Sequence, residues 1–205
     1  MLPYNYHTHT ARCNHADGTD REYVEAAIQA GVKELGFSDH APYLFPNTNY
    51  YSAFRMKTDE LFAYAESVRA LQKEYADDIR ILLGFELEYY PAFHKEDNLV
   101  ILAHPFRDLT MLPPEVDVDG AEVFNMHPGH NNRPARAAKY ARKNGLLVTC
   151  GSDFHHPQLP GNAGGAAMRT RILPRDGKEL VAILKSRDYL FEIGSSMILP
   201  YAYES

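Results

Sequence analysis

Short apolar runs alternate along this chain with amphipathic stretches of helical period, and the simplest way to bury both is an α/β architecture with largely parallel strands. Seven strands are predicted, at about 4–9, 34–38, 80–84, 99–103, 121–125, 146–150 and 189–193. Thr19 and Glu22 have the spacing of a capping box that opens a helix with Val24, Ala27 and Ile28 on one face, and Gly31 is placed to end it. Thr58 is expected to cap a second helix running to about Tyr75, with Leu61, Phe62, Ala65, Val68 and Leu71 facing inward. A third runs from about Pro134 to Asn144, stopped by Gly145. The last, at about 176–187, turns Leu180, Ile183 and Leu184 inward. Residues 41–57 and 156–171 are expected to form long loops. No repeat, low-complexity tract or linker interrupts the pattern, so a single domain over residues 1–205 is expected.

The polar residues are not spread evenly over this pattern. His7 and His9 close the first strand, Asp39 and His40 follow the second, and Glu86 follows the third. His104 ends the fourth, Asn125 and His127 end the fifth, and Asp153 and His155 follow the sixth. Parallel strands present their C-terminal ends on one face, so these residues are expected to converge. Side chains on an extended chain repeat every second residue, so the imidazoles of His7-Thr8-His9 share a side, and Asp153-Phe154-His155 repeats the device. Imidazole with carboxylate suits zinc, iron(II) or manganese, and more than four such ligands imply more than one ion. A cluster of ions suits phosphate ester hydrolysis, because it binds phosphoryl oxygens, generates hydroxide from bound water and stabilises the leaving oxygen. Either Glu86 or Glu88, which share strand parity, can supply a bridging carboxylate.

Composition narrows the alternatives. Ten histidines in 205 residues is a heavy load for a structural domain, and the strand map turns that count into a site. The formal charge of -6 disfavours nucleic acid as a partner. No run approaches the ~20 apolar residues of a membrane span, and the start lacks a signal-peptide pattern, so a cytoplasmic protein is expected. Cys13 and Cys150 are too few for a disulfide scaffold and are read as reduced and structural. His130 and His156 are read first as polar loop residues.

The motifs Tyr6-His7-Thr8-His9-Thr10, Cys13-Asn14-His15-Ala16, Gly36-Phe37-Ser38-Asp39-His40-Ala41-Pro42, Gly84-Phe85-Glu86, Ala103-His104-Pro105-Phe106 and Gly151-Ser152-Asp153-Phe154-His155 resemble, in order, those of the PHP (polymerase and histidinol phosphatase) family, most of all its histidinol-phosphatase-type phosphoesterases. The resemblance implies a distorted (β/α)7 barrel with a trinuclear metal centre at the strand C-termini. It implies that His7, His9, Glu86 and Asp153 hold one ion and that His15, His40 and His155 hold a second. Glu86 would bridge to a third ion held by His104 and one further histidine. Only 17 residues separate Glu86 from His104, fewer than in the larger histidinol phosphatases, and His94 is the histidine inside that interval.

The resemblance further implies two or three divalent ions (Zn, Mn or Fe) and a small phosphate monoester, histidinol phosphate first among them, attacked by a metal-bound hydroxide beside Asp153 and His155. Arg107, three residues after His104, is a candidate phosphate ligand, with Arg12 a second. His127 or His130 can contact substrate or donate a proton to the leaving alcohol. The competing readings are a nucleotide or phosphotyrosine phosphatase, a nuclease, and a catalytically idle metal-binding module. Oligomeric state is not readable from the sequence.

Overall fold

The structure, a computed structural model, describes residues 2–42, 53–87, 99–107, 117–159, 163 and 165–201. They group into two compact units, one drawn from Tyr4–Glu88 and Ser152–Gly164, the other from Met1–Pro3, Tyr89–Gly151 and Gly165–Ser205. His94 and much of the 41–57 stretch lie outside the described residues.

In the first unit, Tyr4 and Asn5 of β1 (Leu2–Asn5) are followed in order by α1 (Asp20–Gln29), β2 (Glu34–Phe37), α2 (Leu61–Glu74) and β3 (Arg80–Leu83). Tyr4 and Asn5 pair in parallel with Glu34 and Leu35, and β2 pairs in parallel with β3 along its length. α1 begins as its sequence requires: the Thr19 hydroxyl accepts from the Glu22 amide, and the Glu22 carboxylate accepts from the Thr19 amide at 2.6 Å. Gly31 follows at φ +76, a left-handed conformation that costs glycine least.

The start of α2 corrects the expectation at Thr58. Thr58–Glu60 is a 3-10 turn, and the Glu60 carboxylate accepts from the Lys57 amide at 2.7 Å, so the tight turn delivers the chain into a helix that opens at Leu61. Its inward ladder is Tyr64, Val68 and Leu71 with Leu61 beside them, which leaves Phe62 about 100° around the helix and exposed. These residues pack with Tyr23, Val24 and Ala27 of α1, Leu35 and Phe37 of β2, Ile81 of β3, and Phe154. Full burial of each such aliphatic or aromatic side chain contributes roughly 1.5–3 kcal/mol.

In the second unit, β4 (Ile101–Leu102), β5 (Gly120–Asn125) and β6 (Leu147–Gly151) form a parallel sheet, with α3 (Pro134–Lys143) between β5 and β6 in sequence. α3 carries Pro134 in its first turn and is followed by Gly145 at φ +66. Then come β7 (Ala166–Thr170), α4 (Gly177–Ser186), β8 (Leu190–Ile193) and β9 (Ser196–Ile198), the three strands paired antiparallel in sequence order. α4 is capped by Asp176, which accepts from the Glu179 amide at 2.9 Å; Leu184 is buried, Leu180 and Ile183 partly so.

The fold is thus mixed α/β with parallel sheets. Nine strands occur among the described residues where seven were expected, and the ladder of neither unit closes on itself. β7 lies within the stretch expected to be a loop, because Ala-Ala-Met-Arg-Thr has little strand propensity of its own and is held by pairing with β8. Among the described residues, no helix is long and apolar enough to cross a membrane.

Candidate metal centre

The first unit carries its polar cluster just past the ends of its parallel strands. The ladder continues there as isolated bridges, with Thr8 opposite Phe154 and His40 opposite Glu86. The His9 amide donates to the Phe154 carbonyl at 2.9 Å and the Phe154 amide to the His7 carbonyl at 3.2 Å. On the other side of the same segment, the Ser38 amide donates to the Thr8 carbonyl at 2.9 Å. Alternation then sorts the side chains. Phe154 goes into the core, edge-on to Tyr23 at 4.9 Å, while Asp153 and His155 take the opposite side, as His7 and His9 do around Thr8.

Seven of the expected ligands, His7, His9, His15, His40, Glu86, Asp153 and His155, come together here. The Nε2 atoms of His7 and His9 lie 3.1 Å apart, and each is 3.1 Å from Glu86 Oε2. Both are 3.4 Å from Asp153 Oδ1, and His40 Nε2 is 3.8 Å from Glu86 Oε2. His7, His9 and Asp153, and again His9, His40 and Glu86, each offer ligand atoms within 4.8 Å of one another. His155 Nε2 and His15 Nε2 are 2.9 Å apart. Asp153 holds φ +53, and a non-glycine residue in the left-handed region costs roughly 1–2 kcal/mol.

The His15–His155 pair tests whether a metal suits this site. His15 Nδ1 is 2.7 Å from the Cys13 carbonyl, and His155 Nδ1 is 2.8 Å from the Asp153 carbonyl. A carbonyl only accepts, so each Nδ1 carries the proton and each neutral ring turns an Nε2 lone pair toward the other. Two lone pairs at 2.9 Å repel unless a cation lies between or beside them. Burial lowers the pKa of His15, that of His155 to about 2 and that of His40 to about 3, so a proton is a poor candidate for that cation. His9 runs the other way: burial lowers its pKa, but hydrogen bonds to Asp153 and Glu86 outweigh it and the net shift is upward. Imidazole and carboxylate donors so arranged fit a divalent ion.

Residues outside the expected ligand set hold this cluster in place. Asn5 accepts from the amides of His7 and Ser152, each at 3.3 Å, and donates to the Ser152 hydroxyl and, at 3.1 Å, to the Ala163 carbonyl. It thereby ties the His7 segment to the Asp153 segment. Asp39, fully buried, accepts from the Thr10 amide at 2.7 Å and from the Cys13 thiol at 3.0 Å. Burial pushes its carboxyl pKa up, and pushes the Cys13 thiol up strongly, which disfavours the thiolate. Only its place beside His40 singles out Asp39 in the sequence.

The Arg12 guanidinium is ion-paired with Asp20 and lies over the Tyr64 ring at 5.7 Å. His156 is a surface residue bonded to Asp17 at 2.9 Å, in line with its reading as a loop polar group.

The second unit has its own polar group. Arg107 donates through Nε to Asn132 Oδ1 at 2.9 Å and through a terminal nitrogen to Asn125 Oδ1 at 2.7 Å, so its guanidinium plane is fixed by two side-chain amides. Glu122, buried on β5, accepts from the His104 amide at 2.9 Å and from Asn125 Nδ2 at 3.0 Å. His127 and His130 stack edge-on at 4.5 Å, His130 exposed and His127 partly so.

Several known proteins are similar to this chain. A protein of Deinococcus radiodurans named "Probable histidinol-phosphatase" is 40% identical over 90 residues, 43% of this chain and 33% of that protein. The histidinol-phosphatase of Bacillus subtilis is 30% identical over 110 residues, 52% of this chain and 41% of that one. The chain thus spans 33% to 41% of the length of these curated relatives. The solved structure of histidinol phosphate phosphatase from Lactococcus lactis, complexed with zinc, L-histidinol and phosphate, covers 69% of this chain and 54% of its own at 20% identity and TM-score 0.37. The PHP domain as a sequence family matches residues 5–195, and on that match the chain belongs to the PHP family.

Proposed function

We propose that the chain is a metal-dependent phosphomonoesterase acting on a small phosphorylated metabolite, with histidinol phosphate the first substrate to test. In this reading residues 1–205 form one PHP domain of the family's distorted (β/α)7 type, in a cytoplasmic setting. The observation that carries the proposal is the pair of inward Nε2 lone pairs on His15 and His155, 2.9 Å apart, beside the His7, His9, Glu86 and Asp153 donors. His7, His9, Glu86 and Asp153 would hold one ion, and His15, His40 and His155 a second. His104 and His94 would hold a third, to which Glu86 would bridge. When bound, zinc, manganese or iron would supply a water of lowered pKa and neutralise phosphoryl oxygens.

The protein's own groups do the rest. The carbonyls of Cys13 and Asp153 keep the protons of His15 and His155 on Nδ1, so both rings present Nε2 lone pairs without reorganisation. Arg107, its plane fixed by Asn125 and Asn132, is proposed to pair with a phosphate oxygen. His127, with an Nδ1 2.8 Å from the Pro128 carbonyl, is proposed to act at the leaving alcohol.

The test is phosphate release from histidinol phosphate and a panel of nucleotide, phosphotyrosine and sugar phosphates, with elemental analysis of the same preparation. Asp153→Asn and His155→Ala are each expected to cut turnover more than ~100-fold, since even groups behind metal ligands are worth 10–100-fold. A metal-loaded protein that turns over none of these esters would overturn the proposal. His94→Ala decides the third ion: three metals falling to two supports the assignment, and unchanged stoichiometry removes His94 from it.

A further inference from the structure

Cys13 sits where three ligand-bearing segments meet, and its hydrogen bonds run in one direction. Its sulfur lies 3.0 Å from Asp39 Oδ1, 3.5 Å from His9 Nδ1 and 3.0 Å from the His40 amide nitrogen, which donates to it. His9 faces His7, Glu86 and Asp153 through Nε2, so a metal on that nitrogen requires its lone pair there. The ring proton of a neutral His9 then sits on Nδ1, and the acceptor it meets is Cys13 Sγ. The thiol proton in turn has the Asp39 carboxylate to go to. His9, Thr10, Cys13 and Asp39 are all at most 1% exposed, so water does not replace any of these bonds.

We propose that Asp39, Cys13 and His9 form a carboxylate–thiol–imidazole relay in which Cys13 is a positioning residue, fixing the tautomer and ring plane of a metal-binding histidine. Histidines that bind metals ordinarily hand their second N–H to a carboxylate, a carbonyl or water. Here a thiol stands between the imidazole and the carboxylate. The same sulfur accepts from the backbone of His40, so the residue before His15 by two positions also registers a second ligand segment.

A direct metal site on Cys13 is the alternative, because His9, Cys13 and Asp39 offer donor atoms within 4.8 Å of one another. Asp39 argues against it. Its Oδ1, the oxygen beside the sulfur, already accepts from the Thr10 amide at 2.7 Å and the Cys13 thiol at 3.0 Å, so a cation shared with the sulfur would have to displace both bonds.

The inference rests on the proposal that His9 binds a metal, and its test separates the two. The full chain, as wild type, Cys13→Ala and Cys13→Ser, is stripped and titrated with cobalt(II) against a competing chelator, and the metal-free forms are unfolded thermally. Cys13→Ala is expected to weaken the tightest site 10–100-fold, and Cys13→Ser, which can still accept from one neighbour and donate to the other, to recover most of that loss. Should Cys13→Ala not fold, Cys13→Val takes its place, filling the volume without a hydrogen-bonding group. Equal cobalt affinity in wild type and the alanine or valine variant would overturn the relay while leaving the metal centre standing. A sulfur-to-cobalt charge-transfer band in the wild type would overturn it in favour of direct ligation. A wild-type chain that takes up no cobalt would overturn both proposals.

Discussion

At the residue scale, the cluster depends on two kinds of side chain, those whose donor atoms converge and those that hold these donors still. Asn5 belongs to the second kind, with its carbonyl oxygen shared by the His7 and Ser152 amides. Asn5→Ala strands buried donors and acceptors, and each unsatisfied group costs about 1–3 kcal/mol, so a loss of about 3 kcal/mol in urea unfolding is expected, together with weaker metal uptake. The depressed histidines make a second prediction. His15, His40 and His155 have folded pKa values below the ordinary ~6.5, His40 at about 3 and His155 at about 2. Between those values and ~6.5 the unfolded chain binds more protons than the folded one, so stability rises with pH across that window and falls on acidification. His9, raised, contributes in the opposite sense, being most stabilising below ~6.5 and losing that contribution as pH rises through its folded value. The raised carboxyls of Asp39 and Glu34 act in the same sense as His9, so substitution isolates the histidine contribution: the rise in urea midpoint of the metal-free protein from pH 5.5 to pH 7.5 should be smaller in His155→Gln than in the wild type, and an equal rise in both would count against a neutral imidazole at this position.

At the scale of elements, close backbone approach fixes where substitution is tolerated. A Cβ on Gly120 of β5 would lie 3.0 Å from the Leu147 carbonyl oxygen and 2.7 Å from Ile101 Cδ1, so the strand has glycine because its two neighbours leave no room. Gly120→Ala is expected to destabilise by about 1–3 kcal/mol. Gly177, at the start of α4, has nothing within 4 Å of such a Cβ and no left-handed φ, and Gly177→Ala should be neutral or stabilise by about 0.4–1 kcal/mol. Equal effects at the two positions, read by thermal unfolding, would contradict this account of β5. The helix caps are the elements most directly written in local sequence: Thr19 with Glu22 and Asp176 with Glu179 act across three residues of chain and need no tertiary partner. Thr58 shows the limit of such reading, because a nearby Glu60 carboxylate satisfied the Lys57 amide first and made a 3-10 turn.

At the scale of the whole molecule, metal and stability are linked. Ligands on segments as far apart in sequence as His7 and Asp153 are brought together only in the folded chain, so an ion binds the folded state in preference to the unfolded. Free metal at about 100 times its dissociation constant adds roughly 2.7 kcal/mol per site. Chelation with EDTA should therefore lower the melting temperature, and zinc, manganese or iron(II) should restore it. A melting temperature indifferent to both would argue that the histidine cluster is structural.

What the sequence determined by itself is whatever depends on neighbours in the chain. Strand alternation put His7 with His9 and Asp153 with His155 on common sides, and set Phe154 inward, because the period of two is a property of extended backbone. The tertiary structure alone decided what those side chains meet. The carbonyls that orient His15 and His155, the Asn5 tie to Ser152, the Asp39 bond to Cys13 and the pairing that makes β7 a strand all join residues whose proximity no local pattern encodes. Residue types and their period name the donors, but the direction of each lone pair is set by hydrogen bonds that exist only once distant segments have packed.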